Sequence, residues 1–221
     1  MYWNRKTIIL FLISMGTLTS YAIPPLFGDT SPDGNAVIRG KAGASEIVIT
    51  TTNRLAGAIH SLTWNGKEFI DSFDHGRQLQ SAASFDLQSK DPFWAERYNP
   101  TEAGTRSDGN GLTSSSKLLS LRAQGAELQS TTRMAFWLAP DQNSSGRRAL
   151  NDKILSDHLI SKRVRIGYKK HDNLIEYQTT FTVPKSEQHH YAQFEALTGY
   201  MPAEFETFWT FNPDTGKLQS L

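Results

Sequence analysis

The sequence contains no cysteine. This absence excludes disulfide bonds, and it excludes the lipoprotein anchor that is attached through an acylated cysteine. A chain of 221 residues can still bury a core large enough to fold without such cross-links. The composition therefore favours a bacterial protein over a small, disulfide-rich secreted module of a eukaryote.

An excess of either charge is also missing, since 23 basic residues face 22 acidic ones. Residues 1–22 hold two of the basic residues and no acidic one, so the rest of the chain carries a net charge of −1. A nearly neutral chain has no electrostatic attraction for nucleic acid or for an anionic membrane surface. We therefore predict no nucleic-acid partner, and the composition leaves the oligomeric state undetermined.

Motifs for common cofactors are missing as well. The sequence has no Walker loop, no dinucleotide-binding glycine pattern, no Gly-x-Ser-x-Gly elbow and no zinc-ligand spacing. Residues 29–35 (DTSPDGN) look like a calcium loop, but they lack the spacing and closing glutamate of an EF-hand, so a turn is favoured. We predict no cofactor and no metal site.

The amino terminus has the features of a secretory signal peptide, residues 1–22. The basic pair Arg5–Lys6 precedes an apolar run from Thr7 to Leu18, and a small-residue cleavage site ends at Ala22. A run this short falls below the roughly 20 apolar residues that span a bilayer, which disfavours stable membrane insertion. We predict a secreted or periplasmic bacterial protein with one domain, residues 23–221.

Most of the remaining sequence alternates apolar and polar residues, as strands with one buried face do. The clearest segments are 126–138, 160–168 and 174–183. The polar turn at 169–173 predicts that the last two form an antiparallel hairpin. Asn65-Gly66 separates two apolar-rich runs and predicts a two-residue type I′ hairpin, because both turn positions need positive φ.

No long segment has a helical period, so we predict a single all-β domain, an antiparallel β-sandwich. Two polar segments interrupt the strands. Segment 88–116 contains three aromatic residues and is expected to be functional, because loops this long are usually functional or disordered. Segment 140–153 lacks aromatics and is expected to be mobile surface. The chain ends in a strand–turn–strand pattern over 207–221, which leaves open whether the domain continues beyond Leu221.

Residues 74–80 (DHGRQLQ) form the most informative polar stretch. Their planar, multi-pronged ends suit a ligand with many hydroxyls, such as a sugar. Arg77 can hold two hydroxyls or a carboxylate, and His75 can exchange a proton near neutral pH. We predict His75 as catalytic, and Asp74, Arg77 and Gln78 as substrate-binding. The alternative is a turn with an Asp–Arg salt bridge and a surface histidine.

A second polar stretch, residues 99–104 (NPTEAG), lies in the long loop. Its proline restricts the backbone, so Asn99 and Glu102 would be presented rigidly. Trp94 and Tyr98 offer a flat face on which a sugar ring can stack. We predict Glu102 as the second catalytic group and the other three as substrate-binding. The alternative is a helical cap, with the aromatic rings in the core.

Other ionisable residues give weaker signals. The adjacent His189 and His190 point to opposite faces of a strand, so we do not expect them to chelate one metal ion together. Glu195 stands among apolar residues and is a further substrate-binding or acid–base candidate, although alternation favours a solvent-facing side chain. His60 and His158 are expected to be exposed or hydrogen-bonded structural histidines.

The sequence resembles secreted proteins of the galactose mutarotase-like superfamily, which share a β-supersandwich. The resemblance covers most of the chain after residue 22 and rests on segments 58–66, 74–80, 99–104 and 194–202. It implies a carbohydrate ligand in a groove across one concave sheet. It also implies that Arg77 corresponds to an arginine on an early strand of the epimerases, whose late glutamate base would fall beyond Leu221.

We therefore predict a secreted carbohydrate-binding or carbohydrate-active protein. An enzyme of this kind would be an aldose epimerase, or it would be associated with polysaccharide lyase or glycosidase action. The alternative is a non-catalytic binding or scaffold domain. The sequence does not identify the sugar.

Overall fold

The computed structural model describes residues 10–15 (backbone only), 32–72, 79–88, 90–212 and 214–221. Short 3₁₀ helices lie at Asn53–Leu55, Ala95–Tyr98, Arg106–Asp108 and Ala203–Phe205. The strands in these ranges are β1 (Leu10–Met15), β2 (Ala36–Ala42), β3 (Ser45–Thr51), β4 (Ile59–Trp64), β5 (Lys67–Glu68), β6 (Leu79–Phe85), β7 (Pro100–Thr101), β8 (Lys117–Gln124), β9 (Glu127–Phe136), β10 (Asn143–Ser144), β11 (Arg147–Arg148), β12 (Leu155–Tyr168), β13 (His171–Thr182), β14 (Ala192–Gly199), β15 (Trp209–Asn212) and β16 (Lys217–Ser220).

Twelve of these strands form one large sheet with the order β1-β13-β12-β9-β7-β6-β4-β3-β2. Strands β14, β5 and β8 join it as further partners of β6, β4 and β9. Its pairings are antiparallel, except that β1 runs parallel to β13. The prediction of an all-β, antiparallel fold is confirmed. Within the described ranges, no helix has the length and hydropathy needed to cross a membrane.

The two ends of the large sheet share one apolar core. Ile38 of β2 and Val164 of β12 belong to the same buried cluster, together with side chains of β3, β4, β9 and β13. Gly40 lies so close to β12 that a Cβ there would stand 2.3 Å from Ile166 Cγ2, so only glycine allows this approach. This arrangement is consistent with the predicted sandwich, in which two layers cover a common core.

Both predicted hairpins are present. Asn65 and Gly66 have φ of 50° and 73°, as a type I′ turn requires, and Trp64 pairs with Lys67 across it. Strands β12 and β13 pair as predicted, but the turn between them is shorter than 169–173, because β13 already begins at His171.

The two predicted interruptions differ in structure. Segment 140–153 contains the two-stranded hairpin β10–β11. The longer segment is held by the carboxylate of Asp108, which accepts hydrogen bonds of 2.9 Å from the backbone N–H groups of Thr105 and Ser115. The C-terminal strand–turn–strand prediction is confirmed by β15 and β16, which form a separate two-stranded sheet.

A buried ion pair joins three strands of the large sheet. The carboxylate of Glu102, directly after β7, accepts hydrogen bonds from the Lys162 ammonium of β12 and, at 3.0 Å, from the Ser81 N–H of β6. Both charged side chains are 0 % exposed. The Ser81 hydroxyl donates to the Ala196 carbonyl at 2.8 Å and lies 3.2 Å from the Tyr177 hydroxyl, so the network extends to β14 and β13.

Removing one member of this pair should destabilise the fold strongly. The variant Glu102→Ala leaves the Lys162 ammonium buried without its partner, so we expect a loss of about 3–5 kcal/mol in the free energy of unfolding. The double variant Glu102→Leu/Lys162→Met should recover much of this loss, because it removes both charges. Urea denaturation measures each value.

The matched control is the solvent-exposed ion pair of Lys153 and Asp157. The variant Lys153→Ala should cost less than about 1 kcal/mol, because exposed pairs contribute little. A cost for Glu102→Ala as small as that of the control would show that the buried pair does not hold the strands together.

Candidate functional site

The described end of the first polar stretch, Leu79 and Gln80, lies against the second stretch. The amide oxygen of Gln80, at the end of the first stretch, accepts a 3.0 Å hydrogen bond from the backbone N–H of Ala103 in the second. The predicted ligand-binding residues of the first stretch, however, lie outside the described residues, and the prediction for them stays open; they are Asp74, His75, Arg77 and Gln78.

The second stretch is buried, whereas the sequence predicted a ligand-facing loop. Glu102 is 0 % exposed and both of its carboxylate oxygens are engaged, so its carboxylate belongs to the core and not to an accessible catalytic site. Asn99 is also buried, and its amide donates to the Ala83 carbonyl at 2.6 Å and to the Ser84 hydroxyl at 3.0 Å. Their polarity indicated exposure, but partners distant in sequence satisfy the hydrogen bonds of both side chains inside the core.

The predicted stacking residues are covered as well. The guanidinium of Arg147 covers one face of the half-buried Trp94 ring, with its central carbon 4.3 Å from the ring centroid. Tyr98 is only 7 % exposed, and its hydroxyl donates a 2.9 Å hydrogen bond to Glu187. Glu195 is half-buried on β14 and accepts a 2.7 Å hydrogen bond from the Thr198 hydroxyl.

The hollow beside Trp94 is too small for a sugar. Its walls include Phe93 and Arg97, and its volume is about 10 Å³, which is room for about one water molecule. A sugar ring cannot enter this hollow as the side chains stand.

A larger polar surface lies on strands β8, β9, β12 and β13. Register places one outward-pointing row of side chains and a second row two residues further along each strand. We call these eight residues the polar face. The first row is Arg122, Gln129, Arg163 and Gln178, and the second is Gln124, Glu127, Arg165 and Glu176. Glu176 is only 6 % exposed, so the other seven residues form the accessible part of the polar face.

Hydrogen bonds and ion pairs orient these side chains. Glu127 accepts from the Arg163 guanidinium at 2.5 Å and from the Gln129 amide at 2.7 Å. Arg165 lies 2.9 Å from a carboxylate oxygen of Glu176. The hydrogen bonds from Arg163 and then Gln129 lower the pKa of Glu127 to about 2, so this carboxylate stays charged at neutral pH.

The polar face opens onto a hollow of about 310 Å³. Its lining residues come from the β8–β9 hairpin and are Arg122, Gln124, Glu127 and Gln129. Small-molecule sites occupy roughly 300–1,000 Å³ and are mostly apolar, whereas this hollow is an open groove walled by four polar side chains. A ligand in it would be held by hydrogen bonds and ion pairs and not by enclosure. Guanidinium, amide and carboxylate groups at fixed spacing can exchange several hydrogen bonds with one ligand.

The sequence carries a local signal for the outward position of these residues. Period-two alternation already placed Glu127 and Gln129 on the outer face of one strand, and Arg163 and Arg165 on the outer face of another. What the sequence did not supply was the register that aligns them into rows.

A second cluster of ionisable groups lies deeper in the molecule. His158 of β12 is only 2 % exposed, and neither of its ring nitrogens has a hydrogen-bond partner among the described residues. The sequence predicted an exposed or hydrogen-bonded histidine, and this ring is neither. It stands beside Glu187 and His189, and these three are the described residues whose donor atoms converge as metal ligands do. His190 points away and its side chain is 76 % exposed.

Burial, and to a lesser extent the field of His189, lower the pKa of His158 to about 4. Asp157 opposes this shift and Lys153 adds to it. The imidazole is therefore neutral at physiological pH, with both nitrogens enclosed by protein.

Comparison of the chain with family models, with curated proteins and with solved structures finds no match.

The depressed pKa of His158 predicts a loss of stability in acid. The unfolded chain takes up the proton near pH 6.5 and the folded chain only near pH 4, so stability falls as the pH drops between these values. Between pH 7 and pH 5, the wild type should lose roughly 2 kcal/mol more than the non-titrating variant His158→Phe. Urea denaturation at both pH values, with a chelator present, measures the difference.

The other ionisable groups of the chain are the same in both proteins, so the comparison isolates the contribution of the His158 ring. Equal pH dependence of the two proteins would contradict the shift.

Proposed function

We propose that this protein binds a carbohydrate on the polar face, as a secreted protein of the galactose mutarotase-like type. The observation that carries the proposal is the alignment of eight polar side chains in two rows beside a hollow of about 310 Å³. The sequence resemblance supports it from another direction, since that superfamily binds sugars in a groove across one sheet.

The spacing of the rows suits a ligand with many hydroxyls. Neighbouring strands lie about 4.8 Å apart, and side chains on one face of a strand recur about every 6.8 Å. An array on this grid offers a donor or acceptor at intervals comparable to the dimensions of a sugar ring. Because the partners already hydrogen-bond to one another, little side-chain freedom is lost when a ligand binds.

The charge of the polar face favours an acidic sugar. It carries three arginines and two glutamates, and both glutamates are already paired with arginine. Arg122 contacts only the neutral amide of Gln124 among the bonds described, at 2.9 Å. A guanidinium in this setting can pair with a ligand carboxylate through two parallel hydrogen bonds. We therefore favour a uronate-containing oligosaccharide over a neutral one.

Calorimetric titration with a panel of neutral and uronate-containing oligosaccharides tests the proposal. The wild type should bind at least one uronate-containing member. Arg122→Ala should weaken that binding by more than about tenfold, because hydrogen bonds to charged groups contribute about 1.5–3 kcal/mol. The matched control is Lys117→Ala, which removes another exposed cation of β8 outside the eight residues and should leave affinity unchanged.

Two outcomes count against the proposal. A folded wild type that binds no member of the panel would contradict carbohydrate binding. Binding that survives Arg122→Ala and Gln129→Ala would place the ligand elsewhere on the molecule. Product analysis of a bound oligosaccharide then separates an enzyme from a binding domain, since only an enzyme changes the sugar.

A further inference from the structure

We propose that His158, Glu187 and His189 form a binding site for a divalent transition-metal ion of the zinc type. This site lies apart from the polar face and does not depend on carbohydrate binding. Each residue offers one donor atom, and the three donor atoms lie within 4.8 Å of one another.

The two distances from Glu187 to the histidines are close to those of a tetrahedral site, and the third, between the histidines, is within 4.8 Å. Glu187 Oε2 lies 3.2 Å from His158 Nε2 and 3.1 Å from His189 Nε2. Zinc bonds of about 2.0–2.2 Å place neighbouring tetrahedral ligands roughly 3.3–3.6 Å apart. Small side-chain rotations would therefore bring one ion within bonding distance of all three donors.

The missing hydrogen bonds of the His158 ring are a second, independent observation. A buried imidazole normally hydrogen-bonds through at least one nitrogen, yet neither nitrogen of this ring does so within the described part of the chain. The contact of its Nε2 with Glu187 is short enough for a hydrogen bond but lacks the direction of one. A metal ion beside Glu187 Oε2, which already accepts a hydrogen bond from His189, would give the His158 ring the partner that it lacks.

Neighbouring groups supply the outer support that metal ligands commonly have. The Tyr98 hydroxyl donates a 2.9 Å hydrogen bond to Glu187 Oε1, which leaves the other oxygen directed at the histidines. Asp86 lies 3.8 Å from the second nitrogen of His189, close to the position of an orienting carboxylate. The Phe85 ring packs on both imidazoles, with centroids 4.9 Å from His158 and 4.5 Å from His189.

The donor set selects the class of ion. Two imidazoles and one carboxylate suit zinc and its transition-metal neighbours, whereas magnesium and calcium prefer oxygen ligands. Partial exposure of the Glu187 and His189 side chains, at 16 % and 10 %, gives a fourth ligand a route from solvent.

Calorimetric titration of tag-free, chelator-treated protein with zinc chloride tests the site. The wild type should bind one zinc ion per chain and unfold at a higher temperature when it is bound. His189→Ala and Glu187→Gln should each lose more affinity than the roughly 10–100-fold that the loss of an outer-shell partner costs, and Tyr98→Phe should fall within that range. The matched control is His190→Ala, which removes the adjacent exposed histidine and should bind as the wild type does.

Titration with cobalt(II) gives a second readout, because tetrahedral nitrogen–oxygen coordination produces visible absorption bands that surface binding does not. The proposal fails if folded wild-type protein shows no saturable zinc binding. It also fails if His189→Ala binds as tightly as wild type, or if His190→Ala weakens binding as much as His189→Ala. Oligosaccharide binding by the same variants reports on the polar face, so failure at one site is distinguishable from failure at the other.

Discussion

The ion pair between Glu102 and Lys162 stabilises the large sheet at β7, the two-residue strand between β6 and β9. Strand β7 is only two residues long, yet it is the strand that connects β6 to β9 in the sheet. The next residue along the chain, Glu102, exchanges two hydrogen bonds with Ser81 of β6 through its backbone N–H and its carboxylate. Its other oxygen binds Lys162 of β12, so one side chain joins the two halves of the sheet.

Burying two charges is costly unless they are paired and further hydrogen-bonded, and here Ser81 supplies the additional bond. The arrangement specifies which strands meet, because a change of register at β7 would leave an ammonium or a carboxylate unpaired in the core. Burial of Tyr177, with the nearby Glu102 charge, raises the pKa of its phenol, so this hydroxyl stays neutral beside the pair. The network is therefore a polar part of the core that also fixes the sheet pairing.

Strand β12 takes part in all three polar features of the molecule. Its inward-pointing Lys162 completes the core network, while the next residue, Arg163, points outward into the polar face. Nearer its start, the buried His158 belongs to the proposed metal site. Alternation along one strand thus separates the buried charge of Lys162 from the outward-pointing charge of Arg163, which is only one residue away. The same rigid strand would support both proposed sites.

The sequence by itself determined most of the longer strands, because alternation and turn chemistry are local properties that each segment expresses alone. It did not predict β2 or the two-residue strands β7, β10 and β11. Asn65-Gly66 is a clear case, since positive φ at both positions is a requirement of the turn and not of its surroundings. The resemblance to carbohydrate-binding proteins and the signal peptide remain predictions from sequence.

Only the tertiary structure decided which polar residues are buried and which form rows across neighbouring strands. Glu102 reads as a loop carboxylate until Lys162, 60 positions later, supplies its partner. Arg122 and Gln129 are ordinary outward residues until the register of β8 and β9 places them side by side. His158 and His189 come together only because β12 and the chain before β14 meet around Phe85. The physical reason is the same in each case: alternation is encoded within a strand, whereas partners and register depend on contacts between segments that are distant in sequence.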